Sequence, residues 1–312
     1  MEKTPLAAAA ETGPRTAGRT GEIMNTPAGR LPDFLCIGAQ KSATSWLNAN
    51  LMRHPDIWIP PIKELHFFDH LFIPRFRTWT RRHIHNHVDK AIRRHLKNNE
   101  SPDLDFLHYL TTLATQDLFT ERWYRGAFSW KKGDGKCLGE TTPEYSTIPA
   151  DGIAYLRQLL GEPRLIYIIR DPADRAMSQM RMNLLKRFGD QAEPETSRWS
   201  LRRWRKELDN DEIHQRGHYS AYVQEWDRQF APERMLYLPY GRIGEEPLKV
   251  LAEVESFLGL RAHNRYPKAN ERIHRLRPLP IPPAAEEAAR EIFAREREFI
   301  RLRFGDAFAN LT

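Results

Sequence analysis

Residues 34–46 read FLCIGAQKSATSW: an apolar run stops at Gly38, Lys41 follows, and then come Ser42, Ala43, Thr44, Ser45 and Trp46. A strand that turns into a helix offers unpaired N–H groups and the positive end of a helix dipole, where phosphate oxygens fit. Lys41 adds a point charge, and Ser42, Thr44 and Ser45 add hydroxyl donors. The nucleoside-triphosphate loop GxxxxGK[ST] places its Lys directly after the second Gly. Here Lys41 precedes the small residues and no GK[ST] follows, which argues against a triphosphate kinase. Taken alone, the stretch also suits an ordinary strand–helix turn.

Two more stretches carry chemical groups. In IIRDPADRAMSQM (168–180), Arg170 leaves the C-terminal end of an apolar run, the edge at which open α/β sheets bind ligands. Ser178 lies about two helical turns on. The pair suits a second phosphate; a local pairing of Arg170 with Asp171 or Asp174 is the alternative. In KELHFFD (63–69), Glu64 is a carboxylate able to accept a proton, because an exposed Glu titrates near about 4.3. Its alternative is a surface pair with Lys63. His66 either assists Glu64 or packs between Leu65 and Phe67, and Phe67 and Phe68 read as core. HIHNH (83–87) holds three imidazoles without a Cys or a tight set of carboxylates, so no metal site is expected.

The elements that position these groups alternate. DFLCIG (33–38), DIWI (56–59), the start of CLGETTPEYS (137–146), RLIYIIRDP (164–172) and MLYLPY (235–240) read as strands. RLIYIIRDP is almost wholly apolar and belongs in the centre of a parallel sheet. SATSWLNANLMRH (42–54), GIAYLRQLL (152–160), ADRAMSQMRMNLL (173–185) and EPLKVLAEVESFLGL (246–260) read as helices, the last with Gly259 at its C-terminal end. The fold class is therefore α/β with a central parallel sheet flanked by helices. Two stretches interrupt the alternation. Residues 71–122 are too long for a simple loop, and within 75–100 they carry Arg75, Arg77, Arg81, Arg82, Lys90, Arg93, Arg94 and Lys97 against Asp89 and Glu100. VDKAIRRHLKN within them reads as helix. RLRPLPIPPAAEEAAREIFAREREFIRLRFG reads as an extended proline-rich crossing followed by one charged helix.

The chain has 312 residues, enough for one large domain, and its hydrophobic content of 40% suits a globular protein. No run of about 18 apolar residues is present to span a membrane. Residues 1–32 are rich in Ala, Gly, Thr and Pro, lack the apolar segment of a secretory signal, and read as a disordered leader before a domain at 33–312. Two cysteines, Cys36 and Cys137, make no disulfide framework, and a cytoplasmic setting is expected. The formal net charge of +7 points to an anionic partner: nucleic acid, an acidic membrane surface, or phosphorylated or sulfated small molecules.

Taken together and in order, the stretches resemble the sulfotransferases that use 3′-phosphoadenosine-5′-phosphosulfate (PAPS), in the branch of the heparan sulfate N- and 3-O-sulfotransferases and their bacterial relatives. The family loop GxxKxGTT is similar to Gly38-Ala39-Gln40-Lys41-Ser42-Ala43-Thr44-Ser45, and its KE-I/L-HFFD stretch to Lys63–Asp69. Its EKTPxY element looks like Glu140-Thr141-Thr142-Pro143-Glu144-Tyr145. RxPxxRxxS matches Arg170, Pro172, Arg175 and Ser178. The Tyr/Trp/Phe element resembles Tyr222, Trp226 and Phe230, and FLGL matches Phe257–Leu260. The resemblance runs from about residue 33 to 275.

That resemblance implies a P-loop-like three-layer fold and transfer of a sulfuryl group from PAPS to a hydroxyl or amine, with no metal required. It implies that Lys41 stabilises the leaving 5′-phosphate, that Ser42, Ala43, Thr44, Ser45 and Trp46 wrap it mainly through backbone N–H groups, and that Arg170 and Ser178 hold the 3′-phosphate. Glu64 stands at the position of the family's general base, with His66 beside it. Arg272 is the nearest counterpart of a C-terminal basic cofactor loop. Two departures stand out: Ala43 replaces a usual Gly, and Thr141 replaces a Lys of the heparan enzymes. The expected acceptor is a carbohydrate or glycolipid. The 71–122 segment is expected to wall the acceptor site, its basic face contacting an anionic glycan or lipid headgroup, or else to be a solvated helix. A kinase on a related fold is the alternative. A nucleic-acid-binding protein ranks last, because none of the usual modules is present.

Overall fold

The computed structural model describes residues 29–271, 273 and 276–312. The expected leader lies outside the described residues except for its last four positions, and Arg272 also lies outside them. Five strands, β1 (Phe34–Gly38), β2 (Ile57–Trp58), β3 (Cys137–Thr141), β4 (Arg164–Ile169) and β5 (Met235–Pro239), form one sheet in the order β2-β3-β1-β4-β5. Every pairing is parallel, with Phe34 level with both Gly139 and Arg164. Expected and observed strands agree, except that β2 is two residues long, cut short before Pro60 and Pro61.

Side chains alternate across the two central strands, as the pleat requires. Leu35, Ile37, Leu165, Tyr167 and Ile169 face one core, with Ile153, Leu156, Val223 and Trp226. Phe34, Cys36, Ile166 and Ile168 face the other, with Trp46, Leu47, Leu51, Val250 and Val254. The helices on the second face are α1 (Thr44–Leu51) and Pro247–Leu258; Gly259 ends the latter at φ 70°, where a side chain would be strained. The first face is covered by α2 (Phe67–Phe72), α3 (Thr80–Asn98), α4 (Leu104–Thr115), α5 (Glu121–Gly126), α6 (Ala150–Leu160) and the helix Tyr219–Gln229. The result is a three-layer α/β fold of the P-loop-like kind.

The basic segment supplies α3, α4 and the start of α5. α3 is longer than the VDKAIRRHLKN expectation and starts at Thr80. Thr80, Ile84, Val88 and Ala91 form a buried stripe at helical spacing, while Arg81, Arg82, Lys90, Arg93, Arg94 and Lys97 are exposed. At the C-terminus the expected single helix is two, Pro283–Ile292 and Ala294–Phe304. The chain breaks at Phe293, whose ring is buried against α7 (Pro172–Phe188) and the helix Leu201–Leu208.

Candidate active site

The C-terminal ends of β1, β3 and β4 meet at one edge, so Gly38, Thr141 and Arg170 open onto the same space. Gly38 is packed against β4 and the turn that follows β3: a Cβ there would stand 2.6 Å from the Cβ of Ser146. From Gly38 the loop folds back, with Lys41 at φ 71° and Ala43 at φ 61°, both in the left-handed region that non-glycine residues avoid. Among the described residues, the backbone N–H groups of Lys41, Ala43, Thr44 and Ser45 have no protein acceptor. That is a row of free donors at the start of α1. Two of the residues expected to wrap the phosphate have their N–H groups engaged within the loop and the start of α1. The N–H of Ser42 donates to the Ala39 carbonyl at 3.2 Å and that of Trp46 to the Ala43 carbonyl at 2.9 Å. The Trp46 indole N–H donates to the Ala269 carbonyl at 2.7 Å, so this side chain anchors the core.

Ala43 in a left-handed conformation costs about 1–2 kcal/mol relative to a residue without Cβ. Glycine recovers that but loses about 0.5–1 kcal/mol to the greater freedom of the unfolded chain. Ala43→Gly is therefore expected to stabilise the fold by about 0.5–1 kcal/mol. A rise in the urea midpoint at constant slope checks this.

Charge is concentrated around Lys41. Its ammonium touches only the Met182 sulfur, at 3.7 Å, among the described residues. Burial, followed by the charges of Arg170, Arg181 and Arg175, lowers its pKa to about 8, with Glu64 acting the other way. Arg170 donates from Nη1 to the Lys41 carbonyl at 2.8 Å, and its guanidinium lies 4.5 Å over the Tyr240 ring. The local pairing of Arg170 with Asp171 is absent among the described residues. Asp171 instead caps α7 through the N–H groups of Ala173 and Asp174 and pairs with Arg297 at 2.7 Å. Arg170 Nε and Ser42 Oγ are both buried without a partner among the described residues. Such orphaned donors fit an anionic ligand. Ser178 is half-buried on α7. Thr141 is buried, and its hydroxyl also has no partner among the described residues.

The second group lies between β2 and α2. Glu64 and His66 both have left-handed backbones, at φ 63° and 52°. Lys63 donates to Glu64 Oε1, and Glu64 Oε2 stands 3.7 Å from His66 Nε2. The pairing with Lys63 is thus present alongside the His66 contact. Burial pushes the Glu64 carboxyl up, but Lys63 and His66 together hold it well below the usual range. His66 is buried, and its Nδ1 bonds Asp69 Oδ2 at 2.7 Å. Burial alone would lower its pKa, but Asp69, with Glu64, raises it to about 10. His66 is therefore an imidazolium at neutral pH, a fixed cation between two carboxylates.

Sequence reasoning missed several neighbours. Asp69, three residues after His66, was visible as the end of HFFD. Arg181, Met182 and Tyr240 left no local signal. Glu144 accepts from Gln40 at 2.9 Å and pairs with Arg216 at 2.7 Å, tying the Lys41 loop to the helix Asp211–Gly217. Glu140 accepts from Thr142, Tyr145 and Tyr124 at 2.6–2.7 Å, and Tyr145 Oη in turn accepts the Phe67 N–H at 3.0 Å, bracing the start of α2. Trp79 and His83, from the basic segment, lie edge-on to His66, each with ring centroids 4.7 Å away. HIHNH carries no Cys or tight set of carboxylates of its own; in the fold, one nitrogen or oxygen atom each of His83, Glu64 and His66 lies within 4.8 Å of the other two.

Human heparan sulfate glucosamine 3-O-sulfotransferase 3A1 is 24% identical over 265 residues, covering 80% of this chain and 52% of that protein. Mouse heparan sulfate glucosamine 3-O-sulfotransferase 3B1 is 26% identical over 172 residues, covering 51% of this chain and 42% of that protein. The chain thus spans about half the length of the curated relatives it matches. A sulfotransferase structure from Alicyclobacillus acidocaldarius superposes with a TM-score of 0.60 at 22% identity, covering 88% of this chain and 96% of that one. The sulfotransferase domain from the curacin biosynthetic pathway gives 0.51 at 16% identity, covering 77% of each. These two likenesses bear on the fold. A family model described as the sulfotransferase family matches residues 32–264, well over half of the sequence, and the chain belongs to that family.

Proposed function

We propose that the protein transfers the sulfuryl group of PAPS to a hydroxyl or amine of a carbohydrate-type acceptor. The observation that carries this is the cationic focus at the sheet edge. Lys41 is desolvated beside Arg170, Arg175 and Arg181, and Arg170 Nε and Ser42 Oγ are orphaned there. Cations held so close repel one another, and a polyanionic ligand offsets that repulsion. Family membership supports reading the polyanion as the sulfuryl donor, and the relatives' acceptors suggest a glycan.

In this reading the free N–H groups of Lys41, Ala43, Thr44 and Ser45, with Lys41 Nζ, hold the 5′-phosphate, and Arg170 and Ser178 hold the 3′-phosphate. Arg272 is assigned to the 3′-phosphate by resemblance alone. Glu64 accepts the proton of the acceptor hydroxyl as its oxygen attacks sulfur. The bond from sulfur to the bridging oxygen breaks, and the leaving phosphate keeps the electron pair beside Lys41. Catalysis is placement and charge stabilisation. His66 orients Glu64. Trp79, on the basic segment beside His66, forms part of the acceptor wall, and the exposed arginines of α3 suit an anionic glycan. No described helix is long and apolar enough to cross a membrane.

Calorimetry and a labelled-PAPS transfer assay over an acceptor panel test the reading. Adenosine 3′,5′-bisphosphate is expected to bind at least about a hundredfold more tightly than ATP, the equivalent of about 2.7 kcal/mol. ATP binding as tightly, with phosphate transfer to an acceptor, would establish the kinase alternative instead.

A further inference from the structure

We propose that Glu64, His66 and His83 form a binding site for one divalent transition-metal ion of the zinc type, and that an ion there blocks Glu64. Binding stands on the geometry alone; its inhibitory consequence rests on the reading of Glu64 as the proton acceptor.

One ligand atom from each of the three residues lies within 4.8 Å of the other two. The His66 ring is oriented as a ligand's would be, although an ion must displace its proton. Its Nδ1 is tied to the buried Asp69 at 2.7 Å, which turns Nε2 towards Glu64, and Nε2 is buried with no hydrogen-bond partner among the described residues. A carboxylate on the far nitrogen of a ligating histidine is the usual second support of a metal site. Lys63 occupies Glu64 Oε1, so Oε2 is the oxygen that faces His66 Nε2 at 3.7 Å. Ligands about 2.0–2.2 Å from a tetrahedral ion stand about 3.4 Å apart, and a small side-chain rotation closes the difference. The His83 ring is edge-on to His66 at 4.7 Å, stacked on His87 at 4.1 Å, and bonded to the Lys63 carbonyl at 3.2 Å, so it is held in place.

Two imidazoles and one carboxylate are the donor set of zinc sites that keep a fourth position open. The mixed nitrogen and oxygen donors disfavour magnesium and calcium, which take oxygen ligands. On binding, the ion takes the place of the proton on His66 Nε2, and that proton leaves to solvent. Glu64 Oε2 then bonds the ion and can no longer accept a proton from the acceptor.

The test titrates the full chain with zinc chloride by calorimetry, and with cobalt(II) by visible absorption. One ion per chain is expected. His83→Gln and His83→Ala are expected to weaken binding at least about tenfold, and Asp69→Asn about ten- to a hundredfold. Unchanged affinity for adenosine 3′,5′-bisphosphate in the His83 variants shows that their fold is intact. In the transfer assay, zinc is expected to inhibit the wild type, a chelator to restore it, and His83→Ala to need at least about tenfold more zinc. Absence of saturable binding, or equal zinc affinity in the wild type and both His83 variants, overturns the site. Saturable binding lost with His83, in a protein that transfers no sulfuryl group to any acceptor, upholds the site while removing the proposed function.

Discussion

Lys41→Ala is expected to lower sulfuryl transfer by about 10³-fold or more, with the loss in kcat as well as in kcat/KM. The size follows from what a preorganised cation at a leaving group contributes in a site shielded from water, about 10²–10⁵ in rate. Nothing else described stands ready to replace it. In the proposed reading Arg170 is taken by the 3′-phosphate, Arg181 donates to the Leu279 carbonyl at 3.2 Å, and Arg175 is fully buried, donating to Gln179 at 2.7 Å and to the Ile213 carbonyl. A single-turnover assay with saturating donor separates the chemical step from binding. Near-normal turnover in this variant would remove Lys41 from the mechanism.

The same residue links activity to pH and to stability. With a pKa lowered to about 8, Lys41 is mostly charged at neutral pH and loses its proton above about pH 8. kcat/KM, which reports the free enzyme, should therefore fall above about pH 8. Bound phosphate favours the charged form, so the corresponding limb of kcat should lie at higher pH. The stability effect has the opposite sign. In the unfolded chain Lys41 titrates near 10.5. Below about pH 8 both states carry the proton and the folded state bears the full cost of the buried charge. Between about pH 8 and 10.5 the unfolded chain binds more protons, so this residue's contribution to stability rises with pH. Lys41→Met should thus stabilise the fold at pH 7 by up to about 1 kcal/mol, the value being reduced because the group is partly exposed to solvent. A protein more stable without a residue that its reaction needs is the usual trade at an active site.

How much of this was legible in the sequence depends on the range of the interactions. β1 and β4 announced themselves because both faces of a central parallel strand are buried, so FLCIG and RLIYII are continuous apolar runs. The Lys41 loop was legible because its backbone chemistry is local, and Glu64 with His66 because they lie two residues apart; the tie from His66 to Asp69 shows only in the structure. Ala43 was visible as a departure, but only the backbone shows what it does: it holds a left-handed angle that favours glycine. The rest is long-range. Arg181 reaches the Lys41 neighbourhood only because α7 passes the Lys41 loop, with Met182 against the Lys41 ammonium. Arg216 meets Glu144 across 72 residues, and His83 meets Lys63 and His66 only because the buried Ile84 and Val88 fix the rotation of α3. An amphipathic pattern shows that such a helix has a buried face, not which loop that face will meet.

Glu64→Gln is the other substitution with a large expected effect: transfer falls by about 10²–10³-fold while adenosine 3′,5′-bisphosphate binds as in the wild type. Glutamine keeps the shape and the Lys63 contact through its carbonyl oxygen but cannot take a proton. General-base catalysis contributes about 10²–10⁴, and the lower part of that range applies here. Lys63 and His66 hold the carboxyl well below its usual range, which makes Glu64 a weak base. The same pairing keeps Glu64 ionised throughout the neutral range, so the acid limb of the wild-type rate should lie below about pH 4.3, the ordinary value for a glutamate. A base with an ordinary or raised pKa would place that limb at or above this value. His66 is a poor substitute, because Asp69, bonded to its Nδ1, still favours the protonated ring when Glu64 is replaced. Calorimetry with adenosine 3′,5′-bisphosphate, beside initial rates with an acceptor of fixed concentration, separates the roles. Equal binding with a large rate loss assigns Glu64 to the acceptor's proton. A parallel loss of binding assigns it to the electrostatic support of Lys41, whose charge it faces.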